Sequence, residues 1–288
     1  MSGGSRLLDA LAAPGRTVGV ELRPPRSGLS RGGAIDIWID LSHSVGLLAA
    51  RGAHLLLTDS AVGEEEEENL QHLATNLTGE IAPGRVVPFL TCKHPLDYCL
   101  VYAERARARG LEALTVVGGD PTGPPRCVPH AYLLRNELRA RVPDLGLGGW
   151  VNPHGDPDRQ AGFVADDGFD ADYYFTQVVS HHDLDAVEAW LGAAARAGID
   201  LPGSFGVFYY RNGRPEALAR LAAYFPVPAD GVGREFAEGV TPADHCARSI
   251  VALRRLGVEN VYICNLGSRL AGRRYAEVLA AVDRVETA

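Results

Sequence analysis

Residues 173–208 read YYFTQVVSHHDLDAVEAWLGAAARAGIDLPGSFGVF. An aromatic and β-branched run, Tyr173–Val179, is followed by an amphipathic stretch, Leu184–Ala197, and then by a second apolar run, Ser204–Phe208. Neither apolar run alternates with polar residues. Strands that are buried on both faces read this way, as they are in parallel sheets covered by helices. The unit is therefore expected to be strand, crossover helix, parallel strand.

The same rhythm extends in both directions. Further strands are expected at Thr17–Leu22, His54–Thr58, Val86–Leu90, Ala113–Val117, Leu145–Val151 and Val261–Asn265, which brings the total to eight. Helices are expected at Ile35–Ala50, Glu64–Leu77, Leu96–Arg109, Ala131–Arg141, Pro215–Tyr224 and Pro242–Leu256. Gly52 and Gly110 close two of them, and Thr241-Pro242 opens the last with a capping hydroxyl and a first-turn proline. The polar segment Asp158–Asp170 predicts one truncated unit. Eight strands alternating with helices predict a single-domain α/β fold, a (βα)8 TIM barrel spanning residues 1–288, with no appended regulatory domain.

Composition narrows the function. The 288 residues are 46% hydrophobic and 22% charged, with a net charge of −8 and a pI near 5.6. That balance argues against nucleic acid as a partner. No apolar run is long enough to span a membrane and the N-terminus lacks a signal-peptide core, so a cytoplasmic protein is expected. Five scattered cysteines without a CxxC pair predict reduced, mostly buried thiols. The acidic run Glu64–Glu68 reads as a solvated first helical turn.

Barrels of this class carry their active sites at the C-terminal strand ends. The polar residues expected there are Glu21, Thr58-Asp59-Ser60, Thr91, Gly119-Asp120, Asn152-Pro153-His154, Thr176-Gln177 and Asn265. Glu21 lies within the apolar run Val18–Leu22, and Pro24-Pro25 ends its strand. Burial would raise its pKa and make it a proton donor near neutrality; a salt bridge to Arg23 or Arg26 is the structural alternative. Asp120 follows two glycines that allow close approach to a bound ring, although Gly-Asp-Pro is also a common turn. The Gln177 amide can donate and accept at the edge of a heterocycle. Adjacent histidines such as His181-His182 rarely converge on one ion, and no carboxylate accompanies them at helical spacing, so no metal is expected.

Several of these residues stand in familiar company. Val-Glu-Leu-Arg-Pro-Pro-Arg (20–26), Phe-Leu-Thr-Cys (89–92), Gly-Gly-Asp-Pro (118–121), Phe-Thr-Gln (175–177) and Pro-Gly (202–203) occur in the order found in the methylenetetrahydrofolate reductases, which the chain resembles over about residues 17–270. The resemblance implies an oxidoreductase that reduces 5,10-methylenetetrahydrofolate to 5-methyltetrahydrofolate with NAD(P)H, through FAD. Glu21 would be the general acid that opens the imidazolidine ring. Asp120 would hold the pterin and adjust flavin electronics, Gln177 would bind the folate and Phe236 would stack on substrate or nicotinamide. Thr58, Thr91, Gly118, Gly119, Asn152 and His154 would face the cofactor. Phe89 stands where the family has His and Gly118 where it has Arg. These departures imply weak flavin binding, or hydride transfer straight from the nicotinamide. A related barrel acting on another substrate, a non-catalytic folate-binding partner and a Schiff-base aldolase using Lys93, the single lysine, are the other readings. The sequence leaves homo-oligomerisation open.

Overall fold

A computed structural model describes residues 6–13, 16–59, 66, 69–70, 77, 79–119 and 124–287. Eight parallel strands pair in chain order and close β1 against β8. They are β1 Val18–Leu22, β2 Leu55–Leu57, β3 Val86–Thr91, β4 Ala113–Val117, β5 Gly146–Val151, β6 Tyr173–Val179, β7 Gly203–Phe208 and β8 Val261–Cys264. This is the expected (βα)8 barrel, and every expected strand is present to within a residue or two.

The described helices are α1 Leu7–Ala12, α2 Arg31–Ala50, α3 Leu96–Ala108, α4 Ala131–Arg141, α5 Pro157–Ala165, α6 Leu184–Arg196, α7 Pro215–Ala222, α8 Ala229–Ala237, α9 Pro242–Arg255 and α10 Ala271–Thr287. The helix expected at 64–77 lies almost wholly outside the described residues. Thr241 caps α9 as its sequence predicts, its Oγ1 accepting from the Asp244 N–H at 3.1 Å. The truncated unit is α5 followed by a 3-10 turn at Asp167–Phe169. Arg135 of α4 anchors that turn. Its Nε donates to the Phe169 carbonyl at 3.0 Å, and the guanidinium stacks 4.3 Å from the Phe169 ring centre. The sequence offered no signal for α1, whose Leu7 and Leu11 pack with the inward residues Leu56, Val87 and Ala113.

Successive strand residues face opposite sides. Val20, Leu22, Leu55, Leu57, Leu90, Leu114, Val116, Leu147, Phe205, Val207 and Ile263 face the helices. Leu56, Val87, Phe89, Ala113, Tyr173, Phe175, Tyr262 and Cys264 face inward. Large inward rings need small neighbours at the same level, because the interior packs at the density of an organic crystal. Gly148 on β5 supplies the gap for Tyr173, whose ring lies where a Cβ on residue 148 would stand. Gly206 on β7 does the same for Tyr262. Neither ring can move aside, since Tyr173 Oη is 3.0 Å from Thr115 Oγ1 and Tyr262 Oη donates to the Thr176 carbonyl. Among the described residues no helix is long and apolar enough to cross a membrane.

Overpacking of such an interior is expected to be felt directly. Gly148→Val should destabilise the protein by at least ~1–3 kcal/mol in urea unfolding, and an unchanged midpoint would mean that Tyr173 is not locked in place.

Candidate functional site

β1 ends one residue short of the Pro24-Pro25 pair, which leaves Glu21 at its C-terminal rim lining the barrel mouth. A cavity of about 360 Å³ opens above it, within the range of small-molecule sites. Polar wall residues include Glu21, Thr58, Asp59, Thr91, Arg126 and Gln177. Trp150, Phe208, Tyr224 and Phe225 supply flat apolar surface, and the backbones of Gly118 and Gly119 complete the rim.

Among the described residues, Cys264 Sγ donates to Glu21 Oε2 at 3.4 Å. Burial pushes the carboxyl from 4.5 up to about 7; the Cys264 contact and the nearby Arg23 charge oppose the rise only in part, and the Glu66 charge adds to it. Of the two salt-bridge partners considered from sequence, Arg23 pairs elsewhere, its Nε donating to Glu66 Oε1 at 2.7 Å. Glu66 also accepts from Thr58 Oγ1 at 2.7 Å, and its side chain is 1% exposed. The expectation of a solvated acidic turn therefore fails at Glu66, which the β1–β2 side of the barrel mouth has taken inside.

Beside it, Asp59 accepts from the Thr91 N–H at 2.8 Å, from Thr91 Oγ1 at 3.1 Å and from His94 Nε2 at 2.8 Å. Across the mouth, the β6–β7 register shifts between Phe175 and Val178. Such bulges re-aim a side chain, and here the shift falls on Gln177. Its Oε1 accepts from the Val178 N–H at 2.9 Å, which leaves the amide nitrogen as the group available to a ligand.

Thus Glu21, Thr58, Thr91, Gly118, Gly119 and Gln177 are brought together around one cavity. Asp120 lies outside the described residues. Asn152, His154 and Phe236 are not among the described lining residues. The Asn152 Oδ1 accepts from the His154 N–H at 3.2 Å, and His154 Nε2 donates to the Val178 carbonyl at 2.9 Å, so this pair braces the bulge from outside. Phe236 stacks on His245 of α9, with ring centres 5.8 Å apart. Lys93 Nζ donates to the Pro124 carbonyl at 2.8 Å and is not among the lining residues either, which takes support from the aldolase reading.

Sequence reasoning missed Arg126. A Cβ on Gly118 would stand 2.8 Å from the Arg126 Cζ, so the guanidinium lies directly on that glycine; its Nη2 donates to the Gly119 carbonyl at 3.3 Å. A second cavity of about 550 Å³ adjoins the first through Phe208 and Tyr224, and Arg26, Arg211 and Arg220 line it. His181 and His182 are likewise not among the described lining residues of the first cavity. They pack with His245 and with Glu235, a carboxylate 54 residues after His181 that no spacing rule within one element would find.

No family model and no curated protein matches the chain. Solved structures do. A functionally uncharacterised protein from Clostridium thermocellum that binds two copies of 5-methyl-5,6,7,8-tetrahydrofolic acid superposes with a TM-score of 0.68 at 13% identity, covering 97% of this chain and 98% of the other. A mandelate oxidase variant with a C4a-OH-FMN adduct gives 0.52 at 14% identity over 93% and 73%. Tryptophan synthase subunit alpha from Legionella pneumophila gives 0.51 at 12% identity over 97% and 99%. At these identities the likeness is one of fold.

The raised Glu21 carboxyl has a measurable signature. Between pH 4.5 and about 7 the folded chain holds a proton that the unfolded chain releases, so Glu21 costs stability progressively as pH rises through that window. Glu21→Gln should therefore melt higher than the parent at pH 8 and close to the parent at pH 5. A melting-temperature difference that does not vary with pH would show that the carboxyl is not perturbed.

Proposed function

We propose that the chain is an oxidoreductase that reduces a folate-bound one-carbon unit, converting 5,10-methylenetetrahydrofolate to 5-methyltetrahydrofolate at the expense of NAD(P)H. The observation that carries this reading is a carboxyl group poised to hold a proton near neutrality inside a cavity walled by aromatic rings and faced by an amide. The fold likeness to a protein that binds 5-methyltetrahydrofolic acid adds to it.

In this reading the pterin edge meets the Gln177 amide, and Asp120, which follows the rim residue Gly119, keeps the pterin-holding role that the resemblance gives it. Glu21 donates its proton to N10 as the N10–methylene bond breaks, which leaves an iminium at N5. NAD(P)H supplies the hydride that reduces this carbon to a methyl group. One proton and one hydride are consumed, and NAD(P)+ leaves. A pKa close to the working pH suits a group that must both give and regain a proton each turnover. Arg126 and the arginines of the adjoining cavity offer charge partners for the glutamyl carboxylates or the nucleotide phosphates.

A flavin is less well served. Phe89, at the position where the resemblance expects His, is held 6.1 Å from Trp150 and 6.0 Å from Phe175, ring centre to ring centre, and offers no hydrogen bond. The mandelate oxidase barrel carries FMN on the same fold, but here an aromatic ring stands where the resemblance would give a flavin a hydrogen-bonding His. This favours hydride transfer directly from the nicotinamide. Protein purified and dialysed without added flavin should show no band near 450 nm, and a stoichiometric flavin retained through gel filtration would contradict that.

Glu21→Gln keeps shape and hydrogen bonding while removing the acid. Methylenetetrahydrofolate reduction should fall by about 10²–10⁴-fold in turnover assays, the usual worth of general acid catalysis, with folate and nicotinamide binding retained in titrations. A folded variant that reduces the substrate at the parent rate would end the assignment.

A further inference from the structure

Beyond the cavity, three elements converge on a second cluster. The chain leaving β6 turns at Ser180 and presents His181 and His182 to α8 and α9, which contribute Glu235 and His245. One ligand-capable atom from each residue lies within 4.8 Å of the other three. His181 Nε2 is 3.0 Å from Glu235 Oε1, and His245 Nε2 is 3.7 Å from Glu235 Oε2. We propose that His181, His182, His245 and Glu235 form a closed site for a four-coordinate divalent cation of the zinc class. The proposal stands independently of the folate reading.

Unmet bonding capacity carries the argument. His245 is 1% exposed, and neither of its ring nitrogens has a hydrogen-bond partner among the described residues. The same holds for the buried His182 Nε2 and for Glu235 Oε2. Native interiors rarely leave one such atom unpaired, and here three residues of one cluster each carry at least one. Protonating the rings would not resolve this. Ring centres lie 4.1 Å apart for His181–His182 and 4.9 Å for His181–His245, so charged imidazolium rings would repel. A cation accepts three imidazole lone pairs and a carboxylate oxygen at once.

The surroundings are those of a metal site. Ser249 Oγ lies 2.9 Å from His181 Nδ1, which fixes that ring and directs Nε2 at Glu235. Arg248 Nη1 donates to Glu235 Oε1 at 2.7 Å, leaving Oε2 as the carboxylate ligand. Phe236 stacks on one side of His245 and Tyr210 meets it edge-on at 5.3 Å. Gly231 packs so closely on the His182 ring that a Cβ there would lie 2.7 Å from it. Three nitrogens and one oxygen are a set that zinc accepts, and ligand distances of about 2.0–2.1 Å place tetrahedral donors roughly 3.3 Å apart. The Glu235 contacts at 3.0 and 3.7 Å bracket that value, and the whole set lies within 4.8 Å. A closed shell assigns the ion a structural role, tying α8 and α9 to the chain leaving β6.

The test uses tag-free full-length protein, stripped with a chelator and titrated with ZnCl2 against a chromophoric competitor, then with CoCl2. The expected result is one equivalent of Zn²⁺, an intense four-coordinate Co²⁺ visible spectrum without thiolate charge transfer, and a higher melting temperature with zinc. His245→Ala and His182→Gln should each weaken binding by about 100-fold, no less than removing an outer-shell partner does. Should His245→Ala fail to fold, the half-buried His182 carries the comparison. Absence of stoichiometric binding by the folded parent would overturn the proposal. So would binding that survives both substitutions, which would place the metal on thiols instead.

Discussion

Closing a parallel sheet on itself removes every edge and gives each strand two buried faces of very different capacity. The outer face meets helices and accepts Leu, Val and Ile freely, whereas the inner face shares one narrow volume among eight strands. In this chain the inner volume is divided between rings and gaps: Tyr173 occupies the space of Gly148, and Tyr262 that of Gly206. These tyrosines do more than fill. Tyr262 holds the Thr176 carbonyl, Thr176 Oγ1 accepts from the Gly206 N–H at 3.1 Å, and the β6 bulge that turns Gln177 begins there. The packing of the barrel floor thus sets the direction of a side chain at its mouth.

The same enclosure governs the chemistry. Glu21 is half-buried at the barrel mouth where its ionisation is resisted, and the nearby Arg23, hydrogen-bonded to Glu66, offsets that only in part. Two carboxylates on one side of the mouth are therefore given different fates by their partners. Glu66 is held by a guanidinium and a hydroxyl, and Glu21 is left with a thiol.

Most of the architecture was legible in the sequence because parallel buried strands leave a strong mark, a short apolar run between polar turns. Truncation at α5 was legible too, since Asp158–Asp170 is too polar for a full helix. Glu21 stood out as a charge among apolar strand residues. The failures have a common cause. Glu66, Arg126 and Glu235 act through neighbours far along the chain or through space over a glycine, and their own sequence surroundings look like ordinary surface. α8 went unseen because Ala229–Ala237 carries two glycines, and α1 because six residues give too little period to detect.

Arg126 lying on Gly118 bears on the charge of the rim. Gly118 itself contributes no charge, yet a positive group occupies the rim at that point, delivered from eight residues downstream. The glycine is the condition for that delivery, because any side chain there would evict the guanidinium. An arginine placed at position 118 would crowd two cations into one space. The charge that a ligand meets at the rim is set by where a guanidinium is delivered, not by which position along the chain carries it.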